Sequence, residues 1–189
     1  TLFRSDVELT QALAASGQRT MTVAPEAGSV KMRNIINKGI TEEHVFNAIE
    51  LAAAAGMKNI KLYYMLGLPG EADSDIEEMI AMIGRVREKM DAALNKGDLI
   101  ISVNGFIPKP FTPFQWSPLC DVKTLKRRFK MLETAFKKAK HIQVQTESLK
   151  ETVLQAVLAR GDRRIGAALL EAFRREMPLK QVLKEQWKD

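Results

Sequence analysis

Four strand-like segments alternate with helical segments along this chain, and their starts lie about 40 residues apart. The segments begin near residues 20, 59, 99 and 141, and they read TMTVAP, NIKLYYM, LIISVNGF and HIQVQT. Alternation at this spacing favours right-handed βαβ units and therefore a parallel sheet. Units of this length are typical of (β/α) barrels, but four of them cannot close a barrel. The sequence predicts an α/β protein that is part of a larger barrel or a curved open sheet, and we favour a partial (β/α) barrel.

Capping signals mark the starts of the predicted helices. The spacing of Ser74 to Glu77, and of Ser148 to Glu151, predicts a capping box at the start of two helices. Single N-caps are predicted at three further positions, Thr41, Asp121 and Asp162. The pattern after residue 146 is helical. We therefore predict a partial barrel over residues 1–146 and a helical C-terminal extension over residues 147–189.

Composition excludes several kinds of site. The chain of 189 residues contains one cysteine, Cys120, and two histidines, His44 and His141. One thiol cannot form a disulfide framework or a Cys-based metal site within this chain, and two distant histidines do not indicate a zinc cluster. No apolar run approaches the roughly 18 residues that a membrane span needs. We therefore expect a soluble cytoplasmic protein, and its net charge of +6 permits a polyanionic partner.

Segments rich in glycine or proline follow the first three predicted strands. They read APEAGS (24–29), GLPGE (67–71) and NGFIPKPFTPF (104–114). Active sites of (β/α) barrels lie at the carboxyl ends of the strands, and glycine lets a ligand approach the backbone closely. GLPGE by itself is typical of a type II turn, with Pro at its second and Gly at its third position. The residues alone therefore leave two interpretations of this segment open, a turn and a ligand site.

Four segments, taken in order, resemble the latter part of a radical S-adenosylmethionine (radical SAM) domain. They are APEAGS with INKGIT, KLYYMLGLPGE, ISVNGFIPKPFTPFQW and LARGDRR. The similarity covers nearly the whole chain. It is greatest to uncharacterised radical SAM proteins that often carry a cobalamin-binding-type domain in front. The resemblance implies the C-terminal half of a TIM-like radical SAM barrel, and it adds cobalamin as a candidate cofactor of the full-length protein.

Radical SAM enzymes use two cofactors, S-adenosylmethionine (SAM) and a 4Fe-4S cluster. In that family a CxxxCxxC motif after the first strand holds the cluster, whose open iron binds the amino and carboxylate groups of SAM. One electron then cleaves SAM to a 5′-deoxyadenosyl radical. The motif and the family's first three strands are absent from this chain. The resemblance therefore implies a fragment with its cluster ligands elsewhere, with no catalytic residue or metal ligand of its own, and inactive alone.

The resemblance also implies SAM-binding roles for particular residues. The loop after the family's fourth strand contacts polar groups of SAM, which implies Glu26, Gly28 and Ser29. The basic residue before the following helix often pairs with the SAM carboxylate, which implies Lys38. The segment after the fifth strand and the end of the sixth strand line the adenine, which implies eight more residues: Leu66, Gly67, Leu68, Pro69, Gly70, Asn104, Phe106 and Ile107.

Other classes of function remain open on the sequence. A basic RNA-binding module would use KRRFK (126–130), although its residues lie mostly opposite an apolar stripe and favour a solvated helix face. A sugar-phosphate enzyme would bind phosphate at GLPGE, but that loop contains no Lys or Arg. A protein-interaction module would use the edges of an unclosed sheet, which are also candidates for pairing copies in an oligomer. The expected partner is the missing N-terminal half of the same protein, with RNA as a candidate substrate.

Overall fold

The computed structural model describes residues 7–93 and 97–186. It contains one four-stranded sheet, made of β1 (Thr20–Glu26), β2 (Asn59–Leu66), β3 (Leu99–Gly105) and β4 (Ile142–Thr146). Neighbouring strands are parallel, and their spatial order follows the chain, β1-β2-β3-β4. The predicted strands, their direction and their order are confirmed.

Helices occupy every connection between the paired strands, as parallel pairing requires. Their bounds in chain order are α1 (Val7–Ala15), α2 (Val30–Ile35), α3 (Glu42–Ala54), α4 (Asp73–Ala93), α5 (Val122–Phe136), α6 (Leu149–Arg160), α7 (Arg163–Arg174) and α8 (Leu179–Gln186). Helices α2 and α3 link β1 to β2, α4 links β2 to β3, and α5 links β3 to β4. Over the described ranges, no helix has the length and apolar character needed to cross a membrane.

The three single N-caps are confirmed. Thr41 accepts from the backbone N–H of His44, Asp121 from that of Thr124, and Asp162 from that of Arg164. Each side chain satisfies one of the N–H groups that the first turn of a helix leaves without a partner.

The two predicted capping boxes are wrong. Helix α4 begins before Ser74, and the carboxylate of Asp75 accepts from the backbone N–H of Ala72 at 2.7 Å. Asp75, in the first turn of α4, thus satisfies an N–H group at the helix start, and Ser74 is not needed as its cap. Ser148 does precede α6, but its side chain makes no capping hydrogen bond.

Alternate residues of the strands form a buried layer that we call the covered face. Helices α4 and α5 reach this face, since the Tyr64 hydroxyl lies 3.7 Å from the sulfur of Met82 and the Thr146 hydroxyl donates to Glu133. Removing this apolar surface from water is the main source of stability in such a sheet. Its residues are Met21, Val23, Ile60, Leu62, Tyr64, Leu66, Leu99, Ile101 and Val103.

The intervening residues lie on the opposite side of the sheet, which we call the open face. Successive side chains of a strand point to opposite faces, so each covered residue has open neighbours. All members of the open face are half-buried or exposed: Thr22, Ala24, Lys61, Tyr63, Met65, Ile100, Ser102, Asn104, Gln143 and Gln145.

The sheet is consistent with part of a (β/α) barrel, because its strands are parallel and helices cover one face. Within the described residues, β1 and β4 each pair with one neighbour, so the sheet does not close.

The described chain divides into two compact units. The first contains the residues up to Gly105 together with Cys120–Glu147, and it holds the whole sheet. The second contains Phe106–Leu119 and the residues from Ser148 onward, with α7 and α8 joined by a small apolar cluster that includes Ala168 and Val182. The predicted domain ranges, 1–146 and 147–189, stay a prediction, and residues 1–6 and 187–189 at their ends lie outside the described residues.

Candidate functional site

The carboxyl ends of β1, β2 and β3 meet at one edge of the sheet, because the three strands are parallel and in register. Met65 pairs with Asn104, and Leu66 pairs with Gly105. Nine of the predicted site residues lie at these strand ends or in the loops directly after β1 and β2, and we call this edge the rim.

Glu26 ends β1 in an unusual backbone conformation. The register of β1 against β2 shifts between Val23 and Glu26, and Glu26 has a φ of 68°. A left-handed conformation at a residue with a long side chain costs about 1–3 kcal/mol, and such positions cluster at ligand sites. The carboxylate of Glu26 lies 3.1 Å from the ammonium of Lys38, with both side chains about one-fifth to one-quarter exposed. Two predicted site residues are therefore brought together as an ion pair.

Buried groups fix the segment after Glu26 through hydrogen bonds and close packing. The guanidinium of Arg33 donates to the carbonyl oxygens of Ala27 at 3.2 Å and Gly28 at 2.7 Å. A Cβ at Gly28 would overlap the side chain of Met79 on α4 and lie 2.7 Å from its Cα. Only glycine fits there, so Gly28 sets how closely this loop packs on α4.

Asp75 joins the loop after β1 to the loop after β2. Its carboxylate accepts from the Ser29 hydroxyl at 2.6 Å and from the Lys31 ammonium at 2.9 Å. Lys31 also donates to the carbonyl oxygen of Gly70 at 3.0 Å. Burial acts to raise the pKa of Asp75, but the hydrogen bonds from Ser29, the Ala72 N–H and Lys31 lower it below its ordinary value. The predicted ligand residue Ser29 thus has partners within the protein, since it also accepts from the Met32 N–H.

GLPGE forms the turn that its residues indicate. The carbonyl oxygen of Leu68 accepts from the N–H of Glu71 at 3.1 Å, and Gly70 has a φ of 79° at the third position of a type II turn. Gly67 has a φ of 89°, and a Cβ there would lie 2.7 Å from Leu125. Because the side chains of Leu66 and Leu68 are buried, the surface that this segment presents is largely backbone. The role of these residues as an adenine wall stays a prediction.

Glu71 closes the turn from inside. Its carboxylate accepts from the Gly67 N–H at 2.6 Å and pairs with Arg128 at 2.8 Å. The two side chains are only 1% and 8% exposed. Burial raises the pKa of Glu71 to about 7, although the Gly67 N–H and Arg128 act in the opposite direction. Neither Glu71 nor Arg128 is among the predicted site residues. The position of Glu71, an acid directly after the turn, is the one sequence feature that could have indicated its role.

The interpretation of KRRFK as a solvated face is wrong for Arg128, which is buried, and holds for Arg127, which is exposed. Arg128 lies one turn after Leu125 on the buried side of α5, and besides Glu71 it contacts Asp73 at 3.3 Å. Arg127 also pairs with Asp73. The lysines of the segment, Lys126 and Lys130, are exposed as expected. Because rim carboxylates occupy both arginines, the basic charge left for an RNA partner is smaller than the sequence indicates.

The remaining predicted residues follow β3. Asn104 is exposed on the open face. Phe106 and Ile107 belong to the second unit, where the Phe106 ring packs edge-to-face on Phe114 with 5.5 Å between centroids. Their grouping with the other predicted site residues stays a prediction.

The cofactors implied by the resemblance fit the chain to different extents. A 4Fe-4S cluster needs thiolate ligands, whereas the sequence has only Cys120, whose pKa is raised by burial. No group of three metal-ligating side chains occurs in the part of the chain that the structure describes. The cluster therefore does not fit this chain. SAM fits better, because its amino acid portion carries one positive and one negative charge, and Glu26 and Lys38 offer one of each.

Comparison with known proteins finds a family model that matches part of the chain. Residues 1–83 match the family model of the radical SAM superfamily. This range includes β1, β2, the rim loops after both strands and the first half of α4. The chain is also similar to the "Uncharacterized protein MJ0966" of Methanocaldococcus jannaschii, with 40% identity over 151 residues. That alignment covers 80% of this chain and 32% of the relative, so the chain spans about a third of the relative's length.

These matches bear on some of the expectations and leave others untested. They support the resemblance to radical SAM domains over the first part of the chain. Neither match bears on a cobalamin-binding-type domain, on a substrate or on a partner, and these remain predictions.

Proposed function

We propose that this chain is the C-terminal part of the radical SAM domain of a longer radical SAM enzyme. In this proposal the chain supplies the adenine and ribose side of the SAM pocket, together with two charged side chains, Glu26 and Lys38, for the amino acid portion. The observation that carries it is the family match over residues 1–83, which spans the two rim loops that Asp75 and Lys31 join. The relative, about three times as long as the matched region, supports a longer polypeptide.

In such an enzyme a reduced 4Fe-4S cluster would supply the one electron that cleaves SAM to methionine and a 5′-deoxyadenosyl radical. The cysteines that hold the cluster lie outside this chain, since the chain contains one thiol. The residues of the chain bind and orient SAM, and the chain alone is inactive.

The ion pair between Glu26 and Lys38 is suited to a zwitterion. The SAM amino group can donate an N–H to the Glu26 carboxylate, even when its lone pair binds the cluster, and the SAM carboxylate can pair with Lys38. Both protein charges then keep a polar partner when they lose their contact with each other, so neither is left buried and unpaired. Two features hold the Glu26 carboxylate at the rim. They are the left-handed backbone of Glu26 and the hydrogen bonds from Arg33 to the carbonyl oxygens of the loop after β1.

The turn over residues 67–70 supplies a rigid backbone wall. Glu71 and Arg128 fix it from the buried side, so its outer surface is set before a ligand arrives. A preorganised wall lowers the entropy cost of binding.

The test is SAM binding by the full-length protein, reconstituted anaerobically with its cluster and titrated by calorimetry. Glu26→Gln should weaken SAM binding about tenfold or more, since a charged acceptor becomes a neutral amide. Glu50→Gln is the matched control, because Glu50 also pairs with a lysine, Lys89, but lies in the last turns of α3, away from the rim. Equal SAM affinities for wild type and both variants would exclude Glu26 as a SAM contact. No SAM binding by the reconstituted wild type would refute the proposed function.

A further inference from the structure

Several polar side chains on the open face of the sheet form no hydrogen bond or ion pair with the residues that the structure describes. In the described residues, the side chains of Ser102, Asn104 and Gln145 form no hydrogen bond, and Lys61 forms no ion pair. A sheet face that packs against another layer of the same protein would be apolar. This face instead presents hydroxyl and amide groups beside half-buried Tyr63.

The strand register places these groups next to one another. Tyr63 on β2 pairs with Ser102 on β3, which pairs with Gln145 on β4, so the three form one row across the sheet. Adjacent members of such a row lie about 5 Å apart. Asn104 lies two residues nearer the rim on β3 and therefore borders this row on the same face.

Lys61 brings its charge into the same row. It starts one row nearer the amino ends of the strands, but its ammonium lies over the Tyr63 ring, 5.0 Å from the ring centroid. The cation is thus directed towards the carboxyl ends of the strands, where the rim lies. Its burial is intermediate, as is that of Tyr63.

The acid and the base of this face lie at different ends of the strands: the Asp98 carboxylate, just before β3, bonds to His141 and to Gln143 at the amino ends, whereas the Lys61 ammonium is directed towards the carboxyl ends. Within the four described strands the charged residues are Lys61 and Glu26, and Glu26 is paired with Lys38 at the rim. A hollow of about 360 Å³ also borders the face, lined by Tyr63 together with Thr22 and Ala24.

We propose that the open face binds the substrate through an anionic group, a carboxylate or a phosphate, with Lys61 as its charged partner. Ser102, Gln145 and Asn104 donate hydrogen bonds to the same ligand, and the Tyr63 ring supports its apolar part. This inference rests on the proposed function, because it places the substrate next to the rim where SAM would bind. It adds the substrate's chemical class and the residues that recognise it.

The experiment uses the full-length protein and three small probes. Phenyl phosphate, benzoate and neutral benzamide share a ring that can lie on Tyr63, and they differ in charge. Saturation-transfer NMR titrations give the affinity of each probe for the wild type and for Lys61→Met, Lys61→Arg and Lys58→Met. Lys58→Met is the matched control, since Lys58 is an exposed lysine three residues away, before β2 begins.

We expect both anions to bind more tightly than benzamide, and Lys61→Met to weaken their binding about tenfold. Lys61→Arg should retain most of the affinity, and Lys58→Met should retain all of it. The tighter of the two anions then identifies the group as phosphate or carboxylate. Equal binding of benzamide and the anions, or equal losses in Lys61→Met and Lys58→Met, would overturn the inference.

A SAM titration of the same variants separates this inference from the proposed function. Lys61→Met should leave SAM affinity unchanged. A loss of SAM affinity in Lys61→Met would assign Lys61 to SAM and overturn its role as the substrate's partner. Failure of the wild type to bind SAM would refute the proposed function, whereas the anion titrations would still report on the open face.

Discussion

On the covered face of the sheet, Leu62 and Ile101 are fully buried, whereas on the open face their neighbours Lys61 and Ser102 are half-exposed. The same strands thus carry two surfaces of opposite character. The covered face removes apolar area from water and accounts for most of the stability of the sheet. The open face adds little stability, and its hydroxyl, amide and ammonium groups remain available to a ligand. The comparison teaches that alternate positions of one strand can be assigned to stability and to binding.

The largest expected effect separates the two faces within β2. Leu62→Ala should lower the free energy of unfolding by about 2–5 kcal/mol, because it leaves a cavity under the helices. Met65→Ala, on the open face of the same strand, should cost about 1 kcal/mol, since Met65 is only half-buried. Urea unfolding followed by circular dichroism measures both changes. Similar losses for the two variants would mean that the open face is packed in solution, which would contradict its assignment to ligand binding.

A smaller effect tests how tightly the rim packs on the covered side. Gly28→Ala should lower the free energy of unfolding by about 1–3 kcal/mol, because the added methyl group would overlap the backbone and side chain of Met79. Gly84→Ala is the matched control on α4, since a Cβ at Gly84 meets no atom within 4 Å. Helix propensity predicts that the control is stabilised by about 0.5–1 kcal/mol. Equal losses of stability in the two variants would show that the contact between Gly28 and Met79 does not restrict the residue at position 28.

The smallest effect concerns pH and the buried carboxyl of Glu71. Its pKa is about 7 in the folded protein, above the ordinary value of 4.5, so the folded state holds this proton more tightly than the unfolded chain. The unfolding free energy should therefore fall by about 1–3 kcal/mol as the pH rises from 4.5 to 7. Glu71→Gln should remove this dependence while keeping an acceptor for the Gly67 N–H. The lowered pKa of Asp75 predicts the opposite slope, stability lost as pH falls, and only at pH below about 4.

Urea titrations at pH 5 and pH 7 measure the slope for the wild type and Glu71→Gln. An unchanged slope in the variant would show that Glu71 is not the titrating group in this range.

The sequence by itself determined the four strands, the longer helices between them and the topology of the sheet, but not the short helix α2. Alternating apolar residues mark the strands, Thr41, Asp121 and Asp162 mark helix starts, and Pro69 with Gly70 marks the turn. Each of these signals involves residues a few positions apart, so local preferences are enough to read them. The parallel order followed as well, because helical connections of this length return the chain in the same direction.

Tertiary structure decided which side chains meet at the rim. Ser29 and Asp75 are 46 residues apart in sequence, and Glu71 and Arg128 are 57 apart. No local pattern indicates that such residues contact each other, so Arg128 was assigned to solvent and Ser74 to a cap that Asp75 makes unnecessary. The raised pKa of Glu71 also depends on burial, which exists only after α5 has packed against the turn. Local sequence encodes backbone conformation. The pairing and burial of charged side chains instead depend on contacts between segments that are distant in sequence and meet only when the chain folds.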